Sequence, residues 1–320
     1  ERDLAKNCGL LQHEGAGWRF THNNFREYLA ARCLSHQDQK VVLDFLSNGE
    51  RVKPSWVNTL GYLTSLDCGW DLLGWLAGHD PAALIKFERD RVDAQIRNEL
   101  FQQIFCRCEE RLQHFRDELY TTEQLTHFAA SDTTLTFLLN RIRQPVNEIS
   151  RQNAILFLRF FPTHLFGRNQ EVLDCLLNCC QTYPNLRDDT CRLAIVCLSL
   201  LTLNTPTITA NLMQRFGQCK ESYIRLGMYE YLLKTGEYND HVSYFLEGIP
   251  YVLSRLSTQD DRLGNERFIL NNALEKMSTP QSVCSVLSWF AASGHTTFYD
   301  SGKIFHAQCQ QATSLYSNSK

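Results

Sequence analysis

Phe20-Thr21-His22-Asn23-Asn24-Phe25-Arg26-Glu27-Tyr28-Leu29-Ala30-Ala31 is the stretch from which the organisation of this chain is read. Phe25, Tyr28, Leu29 and Cys33 recur at i, i+3, i+4 and i+8, which predicts an amphipathic helix with these side chains on its apolar side. Arg32 takes the i+7 place and interrupts the stripe. Upstream, Gly9-Leu10-Leu11 precedes a Gly15-Ala16-Gly17 turn and then Trp18-Arg19-Phe20. That order predicts a helix end, a small hairpin and a strand leading into the helix. Trp18 to Phe20 is the one strand signal the sequence defends, so a β-rich domain is not expected.

Working outward, apolar residues keep a helical period almost everywhere. Short helices are predicted around Val41 to Leu46, Trp56 to Leu63 and Leu72 to Leu76, and from Ala82 after Asp80-Pro81. One long amphipathic stretch is predicted from about Arg89 to Arg116, with Ile96, Leu100, Ile104, Leu112 and Phe115 on its apolar side. Its other face, including Arg97 and Glu109, reads as solvated charge supported by i,i+4 pairs.

From Glu148 the pattern becomes paired helices: Asn153 to Phe161 and Glu171 to Cys180, Cys191 to Leu203 and Ile208 to Phe216, Tyr223 to Leu233 and Val242 to Leu256, Phe268 to Met277 and Val283 to Ala292. Pairs recur at roughly 35 to 40 residues, the pitch of HEAT-like α-solenoids. Pro162, Pro184, Pro206, Gly236, Gly264 and Thr279-Pro280 mark the expected connections. The polar run from Gln308 to Lys320 is expected to fray. The fold class is therefore all-α, and at helical spacing Tyr223, Tyr229, Tyr231, Tyr238, Tyr244 and Tyr251 are mostly core.

Composition excludes several function classes. The 320 residues are 43% hydrophobic, enough for about two well-packed domains. A net charge of −3 gives no bulk attraction to nucleic acid or anionic membrane. No apolar run approaches the roughly 20 residues that span a bilayer. Thirteen scattered cysteines make a poor disulfide framework and fit a reducing cytosol. Cys175 and Cys179 share a helix face near Cys180, Cys191 and Cys197, but their neighbours are leucines and no finger-spaced histidine follows, so buried free thiols are expected. Cys106 and Cys108 point apart on a helix. The ten histidines form no catalytic string. Asp188-Asp189, Asp260-Asp261 and His79-Asp80-Pro81 read as helix starts or turns, where carboxylates satisfy free amides. No catalytic or metal-ligating residue is assigned.

From Gly9 to Leu34, about a tenth of the chain, the sequence resembles the end of the winged-helix region in NACHT-type (STAND) signalling NTPases, relatives of the NOD-like receptors. There an aromatic-x-His step precedes a helix reading aromatic-x-Glu-aromatic-x-Ala-Ala; Phe20-Thr21-His22 and Phe25-Arg26-Glu27-Tyr28-Leu29-Ala30-Ala31 carry the match. Arg26 stands where the family usually has Gln.

The resemblance implies a winged-helix end over residues 1–36, a connecting helical domain over 37–147 and a HEAT-like repeat domain over 148–320. It implies that His22 reaches the β-phosphate of bound ADP, the rival role being a cap on its own helix. It also implies an upstream NTPase module in cis, a protein trigger as ligand of the repeat domain, homo-oligomerisation on activation, and a cytoplasmic role in innate immune or antiviral defence. Residues 1–320 contain no G-x-x-x-x-G-K-[ST] loop, and the Gly302-Lys303 pair lacks both the upstream glycine and the following Ser/Thr. No cofactor and no catalysis are expected within this segment, ATP or ADP belonging to the intact protein. A start at Glu1 is taken to mean a piece of a longer chain.

Overall fold

The computed structural model describes residues 9–15, 17–49, 51–87, 89–162, 167–185, 187–200, 205–255, 261–293 and 301–318. Among them are seventeen α-helices and one two-stranded antiparallel sheet, so the chain is mostly helical, as its periodicity predicts. It divides into two compact units, residues 1–140 with 160–162, and residues 141–159 with 163–320.

The first unit opens with the hairpin β1 (Leu11–Glu14) and β2 (Gly17–Phe20), in register Leu11 to Phe20 and His13 to Trp18. Gly15 sits at the turn with φ +60°, a conformation that costs glycine little. The Trp18 ring packs edge-on against His13 at 5.0 Å, and Thr21 ties the exit strand back by donating from Oγ1 to the Gly9 carbonyl at 2.8 Å. Helix α1 (Asn23–Ser35) follows. Its buried residues are Ala31 and Leu34, whereas Phe25, Tyr28, Leu29 and Cys33 are exposed. The predicted apolar stripe is real as a pattern, but it is not the side this unit covers.

Helices α2 (Gln39–Leu46), α3 (Val57–Leu63), α4 (Leu72–His79) and α5 (Pro81–Ile85) come next. Asp80 joins α4 to α5: its Oδ1 accepts from the Ala83 amide at 3.2 Å and its Oδ2 from the Val52 amide at 2.8 Å. This carboxylate is a buried helix cap, as the His79-Asp80-Pro81 order predicts.

The long stretch predicted to Arg116 is interrupted. Helix α6 (Ala94–Glu110) ends where Leu112 adopts φ +52° with its side chain 63% exposed, while Phe115 is buried beyond the helix. Arg97 and Glu109, expected in solvent, are both buried. Arg97 donates from Nε to the Val92 carbonyl at 3.0 Å and from Nη1 to the Phe128 carbonyl at 2.8 Å. A guanidinium whose donors find carbonyls tolerates burial that periodicity alone forbids. Helix α7 (Thr122–Ala129) begins in a capping box between Thr121 and Gln124. Phe137 of α8 (Asp132–Arg143) meets Phe105 edge-to-face at 5.2 Å.

The second unit contains α9 (Glu148–Leu158), α10 (Asn169–Thr182), α11 (Asp188–Leu198), α12 (Thr205–Phe216), α13 (Ser222–Thr235), α14 (Val242–Arg255), α15 (Asp261–Lys276), α16 (Pro280–Ser293) and α17 (Ser301–Asn318). Gly264 is not a connection but lies inside α15, and Gln308 onward is not a frayed tail but part of α17. Leu201 to Leu203, and Leu256, placed in helices by the sequence, lie outside the described residues, as does Asp260. Alternate helices α9, α11, α13, α15 and α17 pack each on the next, and α10 on α11, α12 on α13, α14 on α15 and α16 on α17 close the hairpins.

Polar ties punctuate this stack at near-regular intervals. Gln152 of α9 donates to Thr190 of α11 at 2.8 Å, 38 residues on, and Arg192 of α11 donates to Glu230 of α13 at 2.6 Å, again 38 residues on. Arg225 of α13 donates from Nε to Glu266 of α15 at 2.8 Å across 41 residues. Gln308 of α17 reaches back 34 residues to the Leu274 carbonyl at 2.7 Å and also donates to Met277 at 3.1 Å, capping α15 with a side-chain amide. Tyr229, Tyr231, Phe157, Phe216 and Phe245 fill the interior, each fully buried ring contributing on the order of 1.5–3 kcal/mol.

Candidate functional site

His22 is the residue for which the family resemblance implies contact with a nucleotide. It occupies the N-cap position of α1 with extended backbone, φ −131° and ψ 138°, and its carbonyl accepts the Phe25 amide at 3.2 Å. Its imidazole makes no capping hydrogen bond, and it stands exposed with its ring 6.2 Å from Phe25. The rival role of a side-chain helix cap is therefore not the one this geometry supports. An uncommitted imidazole at the positive end of a helix is free to meet an anion arriving there.

Beside it, α1 and α3 pack and frame a cleft of about 150 Å³. Tyr28 meets Tyr62 edge-to-face at 5.9 Å, and the Arg91 guanidinium lies 4.2 Å from the centre of the Tyr62 ring. Asn58 Nδ2 donates to Glu27 Oε1 at 3.4 Å. Lys86 and Arg91 supply two cations to the lining and Glu27 one carboxylate, with the Asn24 and Asn58 amides between them. Asn24 belongs to this lining and His22 does not, so the structure does not join the histidine to the basic pair.

The cysteine group does come together, as packing. Cys175, Cys179, Cys180, Cys191 and Cys197 are buried and free on α10 and α11. Burial pushes the Cys175 thiol up to about 11 and those of Cys179 and Cys197 up to about 12. A thiol hydrogen bond between Cys180 and Cys191, with burial, likewise holds Cys180 well above the ordinary value. Protonated thiols are poor metal ligands and poor nucleophiles, and among the described residues no group of His, Cys, Asp and Glu is arranged to hold a metal ion. Cys106 and Cys108 are half-buried on α6. Asp189 begins α11 with Asp188, pairing with Arg187 at 3.2 Å and accepting the Thr190 amide at 3.0 Å.

Sequence reasoning missed the polar interior of the second unit. Arg225 and Glu266 form a buried ion pair beside Tyr229, Tyr244 and Tyr251, and Ser222 also donates to Glu266 at 2.7 Å. The available signal was the spacing: a basic and an acidic residue one repeat pitch apart, each on an otherwise apolar helix face. Arg215 was missed too; it donates from Nε to the Cys180 carbonyl at 2.7 Å and from Nη2 to that of Gln181, closing the C-terminal end of α10.

The chain matches no family model, no curated protein and no solved structure. Among the described residues, no helix is long and apolar enough to cross a membrane.

Proposed function

We propose that this chain is the regulatory and sensor part of a NACHT-type signal-transduction NTPase, acting in innate immune or antiviral defence. It would restrain an upstream ATPase module, recognise a protein trigger and permit homo-oligomerisation, working in the cytoplasm without catalysis of its own. The observation that carries this reading is the exposed His22 imidazole at the start of α1, directly after the hairpin of residues 11–20. Hairpin, aromatic-x-His step and helix fall in the order that the end of a winged-helix region requires. The exposed face of Phe25, Tyr28 and Leu29 supports a further module packed on α1. The stacked helices of the second unit support a HEAT-like repeat domain able to take a large ligand.

In the full-length protein His22 would donate to the β-phosphate of ADP in the closed state only. A charge-assisted hydrogen bond is worth roughly 1.5–3 kcal/mol, so His22→Ala should raise the open population by about ten- to a hundredfold and give trigger-independent signalling. Basal signalling and melting temperature are measured together. Unchanged signalling with lowered stability overturns the reading.

The alternative is an α-solenoid scaffold unrelated to NTPases, favoured by the regular ties between alternate helices. A phosphate-binding loop in the residues preceding Glu1 would decide for the NTPase.

A further inference from the structure

A cavity of about 570 Å³ lies wholly in the second unit, between α10 and α12. One face of each helix lines it: Leu177, Cys180 and Gln181 of α10 stand at i, i+3 and i+4, and Asn211, Gln214 and Arg215 of α12 at the same spacing. The volume falls within the roughly 300–1,000 Å³ of ligand pockets. Its floor is aliphatic and recessed, since Cys180 and Leu212 are buried and Leu177 is half-buried. Around that floor stand the exposed carboxamides of Gln181, Asn211 and Gln214. Among the described residues, none of the three makes a side-chain hydrogen bond within the protein.

The one charge in the lining is already engaged. Arg215 donates from Nε to the Cys180 carbonyl and from Nη2 to those of Gln181 and Tyr183. No carboxylate and no aromatic ring lines the space among the described residues. A cation therefore finds no counter-charge, a phosphate finds only a guanidinium held by three carbonyls, and a base or a sugar finds no ring to stack on. A peptide main chain is matched instead. It presents one N–H donor and one C=O acceptor per residue, and a carboxamide offers both an acceptor and donors. In an extended chain the side chains alternate between faces. Every second residue can then lower an aliphatic group onto the floor while its neighbours face water.

We propose that this cavity binds an extended peptide segment of a partner protein. The carboxamides of Gln181, Asn211 and Gln214 hold its main chain, and an aliphatic side chain seats on Leu177, Cys180 and Leu212. The site goes beyond the NTPase reading and does not rest on it, because every residue it uses lies in the second unit and its occupancy is measured without nucleotide.

The test uses the whole chain with four probes: acetyl-Thr-Leu-Thr-Leu-Thr-amide, the same peptide with both leucine nitrogens methylated, acetyl-Thr-Ser-Thr-Ser-Thr-amide, and maltotriose. Binding is read by calorimetry for the wild type, Gln181→Ala, Asn211→Ala and Gln214→Ala. The leucine peptide should bind the wild type. Its methylated form, stripped of two donors, and the serine peptide, stripped of its aliphatic groups, should each bind at least about tenfold more weakly. Each alanine variant should lose about five- to tenfold for the leucine peptide, the fold-change of one hydrogen bond. The three positions are exposed and helical, so the alanine variants should melt no lower than the wild type, which separates lost binding from lost folding. No binding of the leucine peptide up to about 1 mM, equal affinity for the methylated form, unchanged affinity in all three variants, or tighter binding of maltotriose overturns the proposal.

Discussion

Arg225 and Glu266, 41 residues apart, face each other as an ion pair with side chains only 6% and 0% exposed. The carboxylate is further held by Ser222, and the guanidinium rests on Tyr251. Both charges have surrendered their water, so each depends on the other. Glu266→Ala should therefore cost about 3–5 kcal/mol in urea unfolding, because it strands a buried cation. The paired change Arg225→Met with Glu266→Leu should recover most of that loss. A double variant as unstable as the single one would contradict the assignment.

Gln308 predicts a different kind of loss. Its amide closes the end of α15 through the Leu274 and Met277 carbonyls. Gln308→Ala leaves those acceptors without that donor in a buried setting, at about 1–3 kcal/mol. Hydrogen exchange should accelerate in α17 more than in α9, the far end of the stack. Uniform acceleration would show that the contact is not local.

Gly248 is fixed by a hydroxyl. A Cβ at this position would lie 2.0 Å from Tyr229 Oη. Gly248→Ala should destabilise by about 1–3 kcal/mol through overpacking. Adding Tyr229→Phe removes the obstructing oxygen and should restore much of the loss, a coupling that a double-mutant cycle in denaturant measures directly.

Glu171 supplies a pH test. Hydrogen bonds from Arg143 at 2.9 Å and from Arg168 hold its carboxyl below the ordinary carboxylate range. A depressed carboxylate contributes stability above its unfolded value, and that contribution disappears as pH falls through the folded value. The side chain is a third exposed, so screening limits Glu171→Gln to about 0.5–1 kcal/mol at pH 7. Melting curves of the two proteins should converge toward pH 2, since both are then uncharged at this position.

Thiol chemistry should sort by burial. Cys33 and Cys284 are exposed, whereas Cys175, Cys179, Cys180, Cys191 and Cys197 are buried. Alkylation of the native protein followed by mass mapping should label the first two and spare the five, which become reactive only on unfolding. Rapid native labelling of Cys179 or Cys197 would mean that α10 and α11 open readily.

The helices of the second unit were legible because periodicity and breakers agree there: Pro280 opens α16, and Gly236, at φ +82°, closes α13. Their pairing was not: the sequence groups α9 with α10 and α11 with α12, whereas packing joins α10 to α11 and α12 to α13. What sequence could not supply was the partner of each face. Phe25, Tyr28 and Leu29 have the right spacing, yet period alone does not say whether this chain covers them. Arg97 and Gln308 failed in the opposite sense, since a polar side chain is legible as buried only when the carbonyl it serves is known, and those carbonyls lie 31 and 34 residues away. His22 is singled out only by one resemblance, whereas the buried pair of Arg225 and Glu266 joins two helices that no short motif spans.

The ties between alternate helices span 38, 38, 41 and 34 residues, none of them joining the ends of the unit. Loop-closure entropy rises only slowly with length, so each tie closes a segment of similar and modest cost. Assembly of the second unit can then advance by annealing one helix pair onto the last, with a rate set by these near-equal closures. Excision of one pair, cut in the connections, would break the ties on both sides of the cut: removing α13 and α14 takes Glu230 from Arg192 and Arg225 from the buried Glu266, so this half of the chain can change its length only where the new neighbours re-form those pairs.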